Sequence, residues 1–223
     1  SGAARASSSA QRAARVMLAA PVGSSRYALE LDGGDDLVRL GDPLALRIDG
    51  AMTLEAWVRV QATAGCREVI ARDAGGACLR IQNGVYQVGV GDYRASYAVP
   101  AEDIAAWIHL AGVYDVAQGT WLLYRNGVQV AQQEGPAAAA MPGGDWAIGR
   151  SFGGQINNVL LWNLARSEEE IEHGMHHRPA ANEPGLVGHW PMDEGSGDVV
   201  ADRVHGNHGR LHVGTYLALD GQD

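Results

Sequence analysis

The chain has 223 residues, 46% of them hydrophobic, with 30 glycines, two cysteines and a formal net charge of −9. That length suits one large all-β domain rich in turns, and the acidic balance argues against nucleic-acid binding as the main task. The apolar runs are far shorter than a membrane-spanning helix, so membrane insertion is not expected.

Residues 1–25 differ from all that follows: Ala, Ser and Arg dominate, and Arg5, Arg12 and Arg15 are the only charges. Gln11–Ala20 has the propensity for a helix, and Val16–Ala20 imitates a signal-peptide core only weakly. The segment reads as a linker or arm that could dock on a neighbouring domain or partner. Strand patterning starts at Tyr27, with the turn chemistry of Asp32-Gly33-Gly34-Asp35 leading into a second strand to Leu40. Thr53–Val60 alternates, placing Leu54, Ala56, Val58 and Val60 inward and Glu55, Trp57 and Arg59 outward. Arg67–Arg72, Ala77–Gln82, Val85–Gly91 and Arg94–Val99 read as a meander, with Asn83-Gly84 as one tight turn. In that hairpin Cys66 and Cys78 are not opposite each other; a disulfide needs a shifted register, and cysteine usage leaves the compartment open.

Trp107–Asp115 is a further strand. Trp121–Arg125 and Val128–Gln133 flank Asn126-Gly127, the strongest hairpin signal in the chain. Ala137–Ala140 is a low-complexity loop. Phe152-Gly153-Gly154 then bends into a strand over Gln155–Asn163, where alternation puts Ile156, Asn158, Leu160 and Trp162 on one face and Val159 and Leu161 on the other. Ser167 followed by three glutamates predicts a short helix near residues 167–177, ended before Pro179. The last residues, Leu217–Asp223, repeat Leu29–Asp35 at five of seven positions; this predicts a domain over 26–215, with 216–223 as the possible start of a following repeat.

Several of these runs have the form of one family. The entry Leu31-Asp32-Gly33 with Asp35-Asp36, the strand Thr53–Val58, Trp107–Asp115 with Leu123–Gly127, the stretch Phe152–Ile171, and Leu186–Gly197 with Asp202 and Gly206–Gly209 together resemble laminin-G-like and pentraxin-like domains. Those belong to the concanavalin A-like lectin/glucanase group. The resemblance spans about Tyr27 to Val213 and implies an antiparallel β-sandwich, a jelly roll with one late helix. It departs at Asn157-Asn158, where the usual form carries an acidic pair.

Catalysis is not expected. Glycosidases of this group carry closely spaced carboxylates on one strand, because two carboxyls must flank the glycosidic bond, and no strand here has them. A structural calcium ion near the entry turn is a candidate, with Asp32 and Asp36 as ligands; the alternative is that Asp-Gly pairs simply make turns. A second carboxylate group, Asp193, Glu194, Asp198 and Asp202, lies in the C-terminal element. His173, His176 and His177 fall at a helix end that favours positive charge, so they do not call for zinc. Sugar binding needs an exposed aromatic with polar neighbours. The candidates are Trp57 with Glu55 and Arg59, and Tyr93 with Tyr97; Trp107, Trp162 and Trp190 are assigned to packing. The expected function is a non-catalytic module of an extracellular or cell-surface multidomain protein, taking a glycan or protein ligand. The alternative is a structural domain of an adhesin, fibre or multi-protein particle.

Overall fold

The computed structural model describes residues 27–73, 75–137 and 144–212. The expected arm over 1–25, the loop residues 138–140 and the repeat at 217–223 lie outside the described residues. In chain order the strands are β1 (Leu29–Asp32), β2 (Leu37–Gly41), β3 (Met52–Val60), β4 (Cys66–Arg72), β5 (Cys78–Gln82), β6 (Val85–Val90), β7 (Tyr93–Ala98) and β8 (Ile108–Asp115). They continue as β9 (Thr120–Arg125), β10 (Val128–Glu134), β11 (Trp146–Ile148), β12 (Gly153–Trp162), β13 (Leu186–Trp190), β14 (Val199–Val200) and β15 (Gly209–His212), with one helix, α1 (Glu168–Gly174), after β12.

Two antiparallel sheets result. One runs β1-β12-β3-β8-β9-β10, with β13 also on β12; the other runs β14-β15-β2-β11-β4-β5-β6-β7. The sheets stack on alternate residues, as strand pleating requires. Leu54, Val58, Leu79, Ile81, Val88 and Leu110 are all buried in the shared core. The buried indoles of Trp121, Trp146 and Trp190 donate to the carbonyls of Pro136, Leu46 and Asn207, which removes the cost of burying an indole N–H unpaired.

Strict alternation fails in β12. The register against β3 shifts between Asn157 and Leu160, and Asn158 sits at φ 52°, a left-handed conformation that asparagine tolerates better than most residues. The extra residue flips the phase. Ile156, Val159 and Leu161 therefore share the main core, while Leu160 and Trp162 pack with Leu186 in a separate cluster. The expectation that Ile156, Leu160 and Trp162 share one face is corrected by this bulge.

Gly185–Met192 is mostly strand. β13 joins the sheet edge by pairing Val159–Trp162, end to end with β1, which pairs Gly153–Ile156. The helix is shorter than 167–177 but starts where expected. The Ser167 hydroxyl accepts from the Glu170 N–H, and the Glu170 carboxylate accepts from the Ser167 N–H, a reciprocal cap. Ile171 then seats α1 on the outer face of the seven-stranded sheet, against Ala111, Val113 and Tyr124. Cys66 lies opposite Gln82 and Cys78 opposite Ala71, and both thiols are free.

Candidate functional site

The outer face of β3 was expected to offer Glu55, Trp57 and Arg59 to a sugar. The three do point outward, but α1 and its flanking segments lie over Glu55 and Trp57. Trp57 is 5% exposed and donates through Nε1 to the Met175 carbonyl at 3.0 Å. Glu55 is fully buried, held by Arg166 Nη1 at 2.6 Å, with His109 Nε2 3.5 Å from its other oxygen. Burial pushes the Glu55 carboxyl up, yet His109 and Arg166 more than offset this, leaving it below its ordinary value. The His109 ring also tilts against Trp57, 5.3 Å between centroids, and Arg166 stacks over Trp162 at 4.4 Å. Arg59 binds the Ala105 carbonyl. An exposed platform at Trp57 is therefore ruled out by the cover. His109 and Arg166, which complete this cluster, come from β8 and from the turn before α1, too far along the chain for local patterning to connect. Glu55 and His109 are an acid–base pair in type, but sealed from any substrate.

Tyr93 and Tyr97 share a face of β7, as alternation requires. That face turns towards the partner sheet: Tyr97 packs on the core, and Tyr93, 51% exposed, lies at the rim with Gly135 tight against its ring. The two are not brought together with Trp57. Asp32 and Asp36 serve their own turn, the Asp32 carboxylate accepting from the Gly34 N–H and Asp36 from the Asp32 N–H. Among the described residues no group of three or more His, Cys, Asp or Glu side chains is placed to hold a metal ion.

The C-terminal carboxylates are likewise engaged. Asp193 pairs with Arg178 and Arg203, and Asp198 with Arg210. Asp202 accepts from the backbone N–H groups of His189, Val204, His205 and Asn207. Burial raises the Asp202 carboxyl, but those N–H groups bring it below its ordinary value. His189 Nε2 meets Asn158 Oδ1 at 2.8 Å, and Asn157 Nδ2 donates to the carbonyls of Tyr27 and Pro191. The asparagine pair thus fastens the C-terminal element to β12. A cavity between that element and β1, lined by Leu29, Met192, Glu194 and Val200, has a volume of ≈ 30 Å³, room for water but not for a sugar ring.

The outer face of the eight-stranded sheet is different in kind. Leu79, Ile81, Tyr86, Val88 and Ala95 point to the core, so the residues between them, Arg80, Gln87, Arg94 and Ser96, face out. Pairing aligns Glu68, Arg80, Gln87 and Ser96 in one row across β4–β7. Arg80 Nε donates to Gln87 Oε1 at 3.0 Å, and Gln87 Nε2 to Ser96 Oγ at 3.3 Å. The next row runs Arg210, Arg39, Ala147, Ala71, Cys78, Gly89, Arg94 across seven strands. Gly89 is required there: at φ 150° a Cβ would stand 1.9 Å from the Tyr93 carbonyl oxygen. Arg150 binds both Glu68 and Asp73, bridging the acids of this face. The arrangement is an open array of oriented donors and acceptors. The signal for it lay in the polar residues alternating within CLRIQ, VYQVGV and YRASYA, which reads as solvent facing when each strand is taken alone.

No curated protein matches the sequence. Among solved structures the chain is similar to a Bacteroides ovatus protein named for carbohydrate binding, with TM-score 0.67 and 21% identity; the match covers 81% of this chain and 56% of that one. The CBM40 module of a Ruminococcus gnavus IT-sialidase, bound to α2,3-sialyllactose, matches with TM-score 0.52, 14% identity and coverage of 67% and 96%. The botulinum neurotoxin DC binding domain matches with TM-score 0.54, 10% identity and coverage of 73% and 44%. Such low identities carry the fold alone, and the chain spans little more than half the length of the Bacteroides structure. The late strands β13–β15 complete both sheets beyond the stretch matched by sequence, residues 32–172; through that stretch, well over half its length, the chain belongs to the concanavalin A-like lectin/glucanases superfamily.

Proposed function

We propose that the chain is a non-catalytic module that binds a glycan on the outer face of its eight-stranded sheet, within a multidomain extracellular protein. The observation that carries this reading is the asymmetry of the two outer faces. One is closed by α1 over Trp57 and Glu55; the other leaves the hydrogen-bonded row Arg80–Gln87–Ser96 in reach of solvent. Sugars are recognised by such donor and acceptor arrays, fixed in place by a rigid scaffold. The likeness to sugar-binding modules supports the same reading. A non-catalytic role is supported by the pairing of the acids of this face: Glu68 and Asp73 share Arg150, which leaves no pair of free carboxylates there to flank a glycosidic bond, although burial raises the Glu68 carboxyl above its ordinary value. Cys66 and Cys78, out of each other's reach, are neutral on the compartment.

The test is a glycan array with the whole chain, followed by titration calorimetry on any hit. Arg80→Ala with Gln87→Ala should abolish binding and leave the melting midpoint within a few degrees of the parent. An array with no hit, or a hit indifferent to the double variant, overturns the assignment. Capture of a protein ligand by the same face would favour a structural or adhesive role instead.

A further inference from the structure

Resting on the glycan reading, we infer that the ligand carries a carboxylate, as in a uronic or sialic acid unit, and that Arg94, with Arg39 and Arg80, selects it. All 17 basic residues of the chain are arginine, in a chain of net charge −9. Three of them face outward on one sheet without a counter-ion: among the described residues no carboxylate comes within ion-pair distance of Arg39, Arg80 or Arg94, whereas eight other arginines are paired. Arg80 stands opposite Glu68 in the β4–β5 register, yet its Nε turns to Gln87, and Glu68 is taken by Arg150. The face is thus locally positive on a chain of net charge −9, so an anion repelled by the rest of the surface finds its attraction here.

The geometry suits a planar anion. Arg80 and Arg94 lie on strands two apart and two residues out of line, so their Cα atoms are about 12 Å apart by strand spacing. Arg94 Nε is buried with no hydrogen-bond partner, and the planar guanidinium carries the fork that matches a carboxylate. Gly89 beside it has no side chain to block approach along the row. Arg39 stands one strand short of the far end of that row, exposed, five strands from Arg94 or about 24 Å. A saccharide laid across the strands can meet both.

The test compares an oligogalacturonate with its methyl ester, and sialyllactose with lactose, by calorimetry on the full chain. An acid preference of about 10- to 100-fold is expected, the range for a charge-assisted hydrogen-bonded pair. Arg94→Gln should remove most of it. Arg94→Lys, which keeps charge but not the fork, should lose about half of the discrimination on a logarithmic scale. Which of the two acids binds separates uronic from sialic sources. Equal affinity for acid and neutral partners, with binding still lost in the Arg80/Gln87 double variant, overturns this inference and leaves the glycan reading standing. Acid preference untouched by Arg94→Gln overturns the residue assignment, and no binding to any sugar overturns both readings.

Discussion

His189 makes the fold acid-sensitive in a defined window. It is buried at the junction of β13 with β12, and burial, with Arg178 close by, lowers its pKa from 6.5 to about 4. Arg203 acts in the same sense; Asp193 and Asp202 oppose it. An imidazole whose folded-state pKa is depressed supports the fold fully above its unfolded value and progressively less as pH falls towards the folded one. Between those two values the unfolded chain binds a proton that the native chain refuses. A gap of this size corresponds to about 3 kcal/mol lost by pH 4 relative to neutral pH. Urea unfolding followed by tryptophan fluorescence, repeated from neutral pH down to pH 4, measures the loss. His189→Gln provides the reference, since its amide can still donate to Asn158 Oδ1 but does not titrate. Acid loss from Glu55, Asp193 and Asp202 is common to both proteins and cancels in the difference. Parent and variant losing stability in parallel, within about 0.5 kcal/mol, would refute the placement of a neutral imidazole there.

Three further outcomes follow from the packing. Glu55→Ala leaves Arg166 without its carboxylate beneath α1 and should cost about 3–5 kcal/mol in urea unfolding, with Glu55→Gln milder because its amide oxygen still accepts. Asn158→Gly keeps the left-handed bulge and loses only the contact to His189, whereas Asn158→Ala loses both; the alanine variant should melt lower, by about 1 kcal/mol in stability. Chelator and millimolar calcium should give the same melting midpoint, because the carboxylates of Asp32 and Asp36 are occupied by their own turn. A clear rise with calcium would restore those two residues as ligands.

Much of this fold is legible because its signals are local. Asn126-Gly127 at the β9–β10 turn, Ser167 at the start of α1 and the alternation of β3 each depend on a few neighbouring residues, and each is where the sequence puts it. What alternation cannot say is what lies on top. It distinguishes the outward side of Trp57 from the inward side of Val58, but the cover over Trp57 arrives from Met175, more than a hundred residues later. The bulge at Asn158 defeats period-two reading for a related reason: one inserted residue reverses every side chain after it, and only pairing with β3 shows where it sits.

The arginine row is harder still, since Arg39, Arg80 and Arg94 become neighbours of one surface only through the registers of five strand pairs, each strand supplying one charge. Yet the covered site and the open one constrain each other. A sandwich has two outer faces, and among the described residues α1 covers one, over Trp57 and Glu55, and leaves the other to water. A face committed to water need not be spent on unpaired arginines, because charge of that sign on an acidic chain could be neutralised by a nearby carboxylate, as Arg150 and Arg178 are. That Arg39, Arg80 and Arg94 are not neutralised, on the one sheet face left open, is what points to an anion supplied from outside.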